Sequence, residues 1–372
     1  LFRNILRSTT MTTQTPAELK TQWMIYGANG YSAQLAAEKA VKQGLKPVLA
    51  GRNAAAIGAI ADRLGLQARI FDLSDISAVA AQLHDVKIVS HCAGPFSATA
   101  EAMMRACIQA GTHYTDITGE IGVFDTAQAL NAEAAAADVV LCPGVGFDVI
   151  PTDCMAHYLH QAMPDATSLT LAFAGNMSVS PGTAKTSVEG LSEGMKVRRN
   201  GQVKRVGRGY KMRDIDYGDG PVTSSVIPWG DISTAYWQTK IPNISVYTPH
   251  SGGKLGVYLF PLITNLLKFK FVQNFAMKKI EQKVEGPTAE ARGSADTRVW
   301  GEIQNAAGDT LSAQITVPNG YTVTMDGILL SADFLNGYNG KGGYFTPAEI
   351  FGGDVVEKLP GAGNFTPSKA AS

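Results

Sequence analysis

The sequence predicts an α/β protein with two sheets, one parallel and one mainly antiparallel. Three observations carry this. Residues 23–33, Trp-Met-Ile-Tyr-Gly-Ala-Asn-Gly-Tyr-Ser-Ala, run from an apolar segment through Gly27 and Gly30 into a helix-forming stretch. Short apolar runs then alternate with amphipathic stretches to about residue 150, the pattern of a parallel sheet covered on both faces. Beyond that point the rhythm changes to longer alternating segments and hairpin signals.

In chain order, strand 23–26 leads to helix 32–43, and strand 47–50 to helix 54–64, capped by Asn53. Strand 68–71 precedes helix 76–83, with Ser74 or Asp75 as cap. Strand 87–91 precedes helix 99–110, strand 113–116 precedes helix 124–137, and strand 139–141 completes the set. Six such strands opening on a glycine turn make a Rossmann domain over 21–150. Helix 151–162 leaves it. A strand over 168–174 follows, then arms 196–199 and 202–205 about Asn200-Gly201, a two-residue hairpin signal. A second hairpin joins 297–304 to 311–317, and helices cover 183–195, 231–238 and 255–282. This is an α+β domain over 151–320, its antiparallel sheet carrying helices on one face, with a role in substrate binding or oligomerisation. Helix 321–335 opens a segment, 321–360, that returns to the first domain. Residues 361–372 read as a flexible tail and 1–20 as a disordered extension. Within that extension, residues 1–10 lack acids and precede Met11. They read as a targeting remnant or as upstream translation, without the apolar core of a signal peptide.

The 372 residues are 45% hydrophobic, enough for two cored domains. Zero formal net charge gives no reason to expect a nucleic-acid partner. Only 17% of residues are charged. That reads as burial in a homo-oligomer interface or an apolar substrate channel, or as an Ala- and Gly-rich chain with a modest surface. Cys92, Cys107, Cys142 and Cys154 form no CxxC pair and sit among apolar residues, as reduced, buried thiols in a cytoplasmic protein would. The six histidines are scattered, so no metal site is expected. The apolar tract 255–267, followed by Lys268, Lys270, Lys278 and Lys279, is too short to span a membrane. It reads either as a core helix with a solvated lysine edge or as an amphipathic helix, 255–280, touching a membrane or an acidic carrier protein.

A strand, a glycine turn and a helix N-terminus in that order make a phosphate site, because the open N–H groups and the helix dipole face the anion. Gly27 permits the turn, Gly30 lets a pyrophosphate approach, Ala33 is small enough for helix–strand packing, and Asn29, Tyr31 and Ser32 complete the turn. In this fold the second strand ends at the adenosine ribose, where an acid bonds the 2′-hydroxyl of NAD and a base accommodates the 2′-phosphate of NADP. Here the strand ends Ala50-Gly51-Arg52-Asn53, and no Asp or Glu occurs between Glu38 and Asp62. Arg52, assisted by Asn53, offers a charged planar fork to a phosphate, or is a surface residue beside the Asn53 cap. The missing acid favours NADP(H). Asp72 is placed to approach the adenine, and Ala93, Gly94 and Pro95 to let the dinucleotide lie flat near the nicotinamide.

Several blocks resemble one known family. The stretch Met104-Arg-Ala-Cys-Ile-Gln-Ala-Gly-Thr-His-Tyr-Thr-Asp-Ile-Thr-Gly-Glu120, the stretch Gly146-Phe-Asp-Val-Ile-Pro-Thr-Asp153, and the turns Gly94-Pro95-Phe96 and Gly182-Thr183-Ala184 are similar to blocks of the saccharopine dehydrogenase-like oxidoreductases. So are Gly286-Pro287-Thr288 to Arg292 and Trp300-Gly301-Glu302. The branch most resembled is that of the trans-acting enoyl reductases. The glycine turn departs from the family's usual Gly-Ala-Thr/Ser-Gly-Phe/Tyr-Thr-Gly at Asn29, Ser32 and Ala33, while keeping its size requirement. The resemblance implies a Rossmann domain with an antiparallel α+β partner and an oxidoreductase using NADP(H).

Residues at the carboxyl ends of the later strands are the candidates for chemistry. Tyr114 reads as a proton donor, since a phenol is protonated at neutral pH, or as a buried packing tyrosine. Asp148 is a second candidate, or the cap of the helix at Pro151. Lys185 donates a proton, binds a substrate carboxylate, or is solvated. Asp116 and Glu120 read as carboxylates that hold loops through backbone N–H groups. The expected activity is NADPH-dependent hydride transfer to an activated double bond of a small-molecule or acyl substrate, an enoyl thioester free or on a carrier protein. One alternative is a saccharopine-type imine/amine oxidoreductase, which needs convergent cations; Arg198, Arg199, Arg205 and Arg208 straddle a hairpin and read as solvent-facing. The other is a non-catalytic NADP-bound scaffold at a lipid surface.

Overall fold

The computed structural model describes residues 22–175, 194–207, 210–250 and 296–368, with single positions at 180, 182, 184, 272 and 288. Helix 255–282, most of helix 183–195, Thr183, Lys185, Arg208 and the block 286–292 (apart from Thr288) lie outside the described residues.

The first sheet is built as its sequence predicts. Strands β1 (Gln22–Tyr26), β2 (Val48–Gly51), β3 (Ala68–Ile70), β4 (Val86–His91), β5 (His113–Asp116) and β6 (Val140–Cys142) alternate with helices α1 (Tyr31–Lys42), α2 (Ala54–Leu64), α3 (Ile76–Gln82), α4 (Phe96–Ala110), α5 (Ile121–Ala129) and α6 (Asn131–Ala136). The strands pair in parallel in the order β6-β5-β4-β1-β2-β3. The order reverses between β1 and β4, and ligands of such sheets bind in the crevice that this reversal opens at the strands' carboxyl ends. Asn53 caps α2 by accepting from Ala56 N at 3.1 Å, and Asp75 rather than Ser74 caps α3. The single helix expected over 124–137 is two, meeting at Leu130; α5 starts early enough to bury Ile121 and Val123 as well as Phe124.

Helix α7 (Ile150–Ala162) leads to the second sheet: β7 (Ala166–Gly175), the hairpin β8 (Met195–Arg199) and β9 (Gln202–Val206), β10 (Arg213–Asp216), β11 (Pro221–Ile227), β12 (Asn243–Pro249), β13 (Thr297–Asn305) and β14 (Thr310–Val317). Helix α8 (Asp231–Thr239) precedes β12. The sheet is mainly antiparallel, as expected, but its central pair β7–β12 is parallel. The Asn200-Gly201 turn has both residues at positive φ, 49° and 77°, as a twist-matched two-residue turn requires.

Helix α9 (Gly320–Asn336) returns to the first sheet and is pinned to α1 by the Lys39–Asp326 ion pair, whose carboxylate is buried. Its flush seating depends on Gly327, where a Cβ would lie 2.1 Å from the Val145 carbonyl oxygen. Beyond it, β15 (Gly343–Tyr344) adds a seventh parallel strand beside β6, followed by the short helix α10 (Pro347–Phe351). The tail expected to be flexible is held as far as residue 368: Phe365 stacks on Tyr158 at 4.7 Å and β16 (Thr366–Pro367) pairs with β14. An apolar ring and an open strand edge hold a segment that composition alone reads as loose. All four cysteines are free. No described helix is long and apolar enough to cross a membrane.

Candidate dinucleotide site

The glycine turn sits at the switch point. Gly27 has φ +80°, and a Cβ there would lie 2.7 Å from the backbone nitrogen of Ala93. Only glycine lets the turn after β1 lie against the turn after β4. Gly27 N and Ala28 N both donate to Ala50 O, at 2.8 and 3.1 Å, and Gly30 N donates to Gly27 O at 2.9 Å. Gly30 is the N-cap of α1, and no side chain caps the helix there. The first-turn N–H groups of α1 therefore keep their capacity for an anion. Asn29 is exposed and Ser32 half-buried beside them. Tyr31 meets Tyr321 of α9 edge-on at 5.1 Å, and Tyr321 Oη accepts from Ser180 N. Tyr321, which the sequence reading missed, thus joins the glycine turn to the second domain; no short motif marks it.

Arg52 is exposed at the carboxyl end of β2. Asp72 is nearby, but its carboxylate is engaged by Ser74 N and Oγ. These bonds, helped by Arg52, hold it below the usual carboxylate range. Asp72 therefore stabilises its own turn and sets a charge beside Arg52. Burial, with Asp72 adding to it, pushes the Tyr26 phenol up to about 12.

The block Thr112–Glu120 is a scaffold for three loops. Tyr114 is fully buried and its hydroxyl donates to Asp116 Oδ2 at 2.6 Å. Asp116 Oδ1 accepts from Thr118 N at 2.9 Å and Gly144 N at 2.8 Å. Burial pushes its carboxyl up to about 7. Glu120 reaches across to the N-terminus of α4, accepting from Phe96 N at 2.9 Å and Ser97 N at 2.6 Å, so it fixes the Ala93-Gly94-Pro95 turn before that helix. This bears out the loop-holding role read for both carboxylates. Tyr114 lies beneath the site and not at its surface.

Asp148 does not cap α7. The N-cap position is Val149, without a side-chain hydrogen bond. The turn carrying Asp148 is set by Val145 N donating to Asp116 O at 2.7 Å and Phe147 N to Thr324 Oγ1 at 3.1 Å. Its carboxyl packs against Gly119, where a Cβ would be 3.0 Å from Oδ2. No hydrogen bond or ion pair holds it among the described residues. Although Asp148 keeps part of its surface open, the protein packed around its carboxyl pushes the pKa up to about 7. The turns after β5 and β6 thus place at the carboxyl edge of the sheet an acid that has no hydrogen-bond partner among the described residues and whose pKa burial raises. Beside it runs an aromatic row the sequence did not single out: Phe147 on Phe173 at 5.5 Å and Phe173 on Trp229 at 4.7 Å. Gly230 brings Trp229 close, since a Cβ there would lie 3.3 Å from Gly119 O.

The arginines expected to be solvent-facing divide. Arg198 is 5% exposed, donates to Ile232 O and Gly201 O, each at 2.6 Å, and lies 4.0 Å over the Tyr236 ring. Buried carbonyls and a ring face hold it in. Arg199 turns to the outer face of the second sheet, with Tyr210 and Ser245.

A glycine turn, an uncapped helix N-terminus and a basic residue after β2 at a topological switch point define a dinucleotide-binding Rossmann protein. Residues 23–142 match the family model for the saccharopine dehydrogenase NADP binding domain; the chain carries that domain, and its cofactor is NADP(H). It is 28% identical over 163 residues to a trans-acting enoyl reductase of Mycobacterium ulcerans, covering 41% of this chain and 38% of the relative. With a trans-acting enoyl reductase of Mycobacterium tuberculosis it shares 29% identity over 157 residues, covering 39% of this chain and 37% of the relative. The matches thus span less than half the length of these relatives. In fold the chain is similar to apo saccharopine dehydrogenase (L-Glu forming) from Saccharomyces cerevisiae, with a TM-score of 0.61 and 12% identity over 94% of this chain and all of that one.

Proposed function

We propose that the protein is an NADPH-dependent reductase that delivers hydride to the activated double bond of an enoyl acyl substrate. The observation that carries this is the juxtaposition of Asp148, with its pKa near 7, and the row Phe147–Phe173–Trp229 at the carboxyl edge of the first sheet. An aromatic wall suits an acyl chain, and an acid titrating near neutrality suits delivery of the proton. The names of the relatives support the same substrate class. NADPH, when bound, supplies the hydride. The α1 N-terminus holds the diphosphate, Arg52 the 2′-phosphate, and the Ala93–Pro95 turn the nicotinamide half. Asp148 holds the proton for the carbon next to the carbonyl.

The saccharopine-type reading needs cations gathered at this edge. Among the described residues Arg198 is committed to backbone carbonyls and Arg199 faces away, so that reading is the weaker one. NADPH consumption with a long-chain trans-2-enoyl thioester tests the proposal; consumption only with an imine substrate would reverse the order. A scaffold would bind NADPH and consume it with neither.

Arg52→Ala is expected to weaken NADPH binding by about ten- to a hundredfold, the loss of one or two charge-assisted hydrogen bonds, and to leave NADH binding nearly unchanged. Calorimetric titration of both coenzymes checks this, and equal losses would remove Arg52 from the site. Tyr114→Phe is expected to spare turnover. It should lower stability by about 1–3 kcal/mol, because Asp116 Oδ2 would be left buried without its donor. Denaturant unfolding measures the second effect, and a large loss of turnover in a fully stable variant would restore Tyr114 as the acid.

A further inference from the structure

The second sheet has an outer face that the reductase reading leaves unused. Gly301 of β13 faces α7, since a Cβ there would lie 2.5 Å from Met155 Cγ. Side chains alternate along a strand, so Glu302 and Gln304 face the other way. Register sets them in two rows across the central strands: Ser245, Thr170 and Glu302 in one, and Asn243, Ser168 and Gln304 in the next. These rows floor a concavity of about 680 Å³ walled by Arg199, Lys211 and Arg213.

Arg213 is neutralised by Glu302 at 2.7 Å and also donates to Thr170 Oγ1 at 3.1 Å. Arg199 donates to Tyr210 Oη at 2.9 Å and to Ser245 Oγ at 3.4 Å, both neutral. Lys211 is exposed and lies 5.8 Å over the Tyr210 ring. Neither Arg199 nor Lys211 has a carboxylate partner among the described residues. Among the described residues, three cations thus face one carboxylate above a floor of hydroxyls and amides on the paired strands of a sheet. A floor this polar is unlike the apolar centre of a subunit interface. The surplus of two positive charges matches a phosphate monoester dianion, which guanidinium and ammonium groups recognise. The volume leaves room for the group that carries the phosphate, and the floor suits a hydroxylated one.

We propose that this groove binds a phosphate-bearing polar small molecule, at a site separated from the dinucleotide crevice by the second sheet and α7. Calorimetry on the full chain saturated with NADP⁺ keeps the 2′-phosphate pocket filled while ribose 5-phosphate, inorganic phosphate and ribose are titrated in turn. Ribose 5-phosphate is expected to bind, with Lys211→Ala and Arg199→Gln each weakening it by at least about tenfold, and ribose to give no heat. Inorganic phosphate binding with the same sensitivity to both substitutions also supports the site, with the free anion as its occupant. Lys211 is exposed, so its removal leaves the fold intact; a melting curve checks the arginine variant. Absence of binding by ribose 5-phosphate and phosphate alike would overturn the proposal, as would affinity untouched by either substitution or equal binding of ribose.

Discussion

Asp148→Asn is expected to cut turnover by about 10²- to 10⁴-fold, the usual contribution of a positioned general acid, with NADPH affinity preserved. The substitution keeps the shape of the side chain and removes only the proton that the reaction takes up. The sign of the pH dependence follows from the raised pKa. Below about 7 the carboxyl is protonated and competent; above it the group is ionised, so the rate of the parent protein should fall as pH rises through that value. The asparagine variant should lose this limb of the profile. Turnover with an enoyl thioester, measured from pH 5.5 to 8.5, checks both effects. A variant with the parent's rate, or one that keeps the same pH limb, would remove Asp148 from the chemistry. The outcome also bears on why Asp148 keeps no hydrogen-bond partner among the described residues: Asp116, fully buried, is held by a tyrosine hydroxyl and two amides, and so cannot leave its loops to serve a substrate.

Gly27→Ala is expected to lower NADPH affinity by about a hundredfold or more. Two effects add. A left-handed residue other than glycine costs on the order of 1–2 kcal/mol, and the new methyl would lie 2.7 Å from the backbone nitrogen of Ala93, so one of the two turns must move. In the proposed site the turn after β1 offers its open N–H groups to the diphosphate and the turn after β4 borders the nicotinamide, so either movement is expected to harm the same ligand. Calorimetric titration with NADPH reads the loss, and far-ultraviolet circular dichroism shows whether the sheet survives. An alanine variant that bound NADPH as the parent does would mean that the diphosphate does not rest on this turn. The Arg52 result is independent of this one, since the proposed role of Arg52 lies at the 2′-phosphate and not at the diphosphate.

Local signals in the sequence were strong where one residue must meet a backbone demand. Gly27, the Asn53 cap and the Asn200-Gly201 hairpin are legible because few other residue types suit those conformations. The first sheet was legible because each of its strands is short, apolar and followed by an amphipathic helix. Other features were hidden. Tyr114 lies in β5 and Asp148 follows β6, strands that end at the same edge of the sheet, and nothing in the chain distinguishes a side chain pointing into the core from one lying at the rim. Arg198 and Arg199 are adjacent, yet one is sealed under Tyr236 and the other faces the outer groove, because successive residues of a strand point to opposite faces. The parallel pairing of β7 with β12 could not be read either, since it joins strands more than 60 residues apart.

The sequence by itself determined the architecture of the first domain, the diphosphate turn and the preference for a 2′-phosphate, because each depends on residues adjacent in the chain whose backbone geometry and charge are local properties. Only the tertiary structure decided which carboxylate is bound into the scaffold and which has no hydrogen-bond partner among the described residues. It also decided where the aromatic row lies and on which face the second sheet gathers its cations. Those outcomes depend on what packs against each side chain, and burial and partnership are set by contacts between segments far apart in the chain.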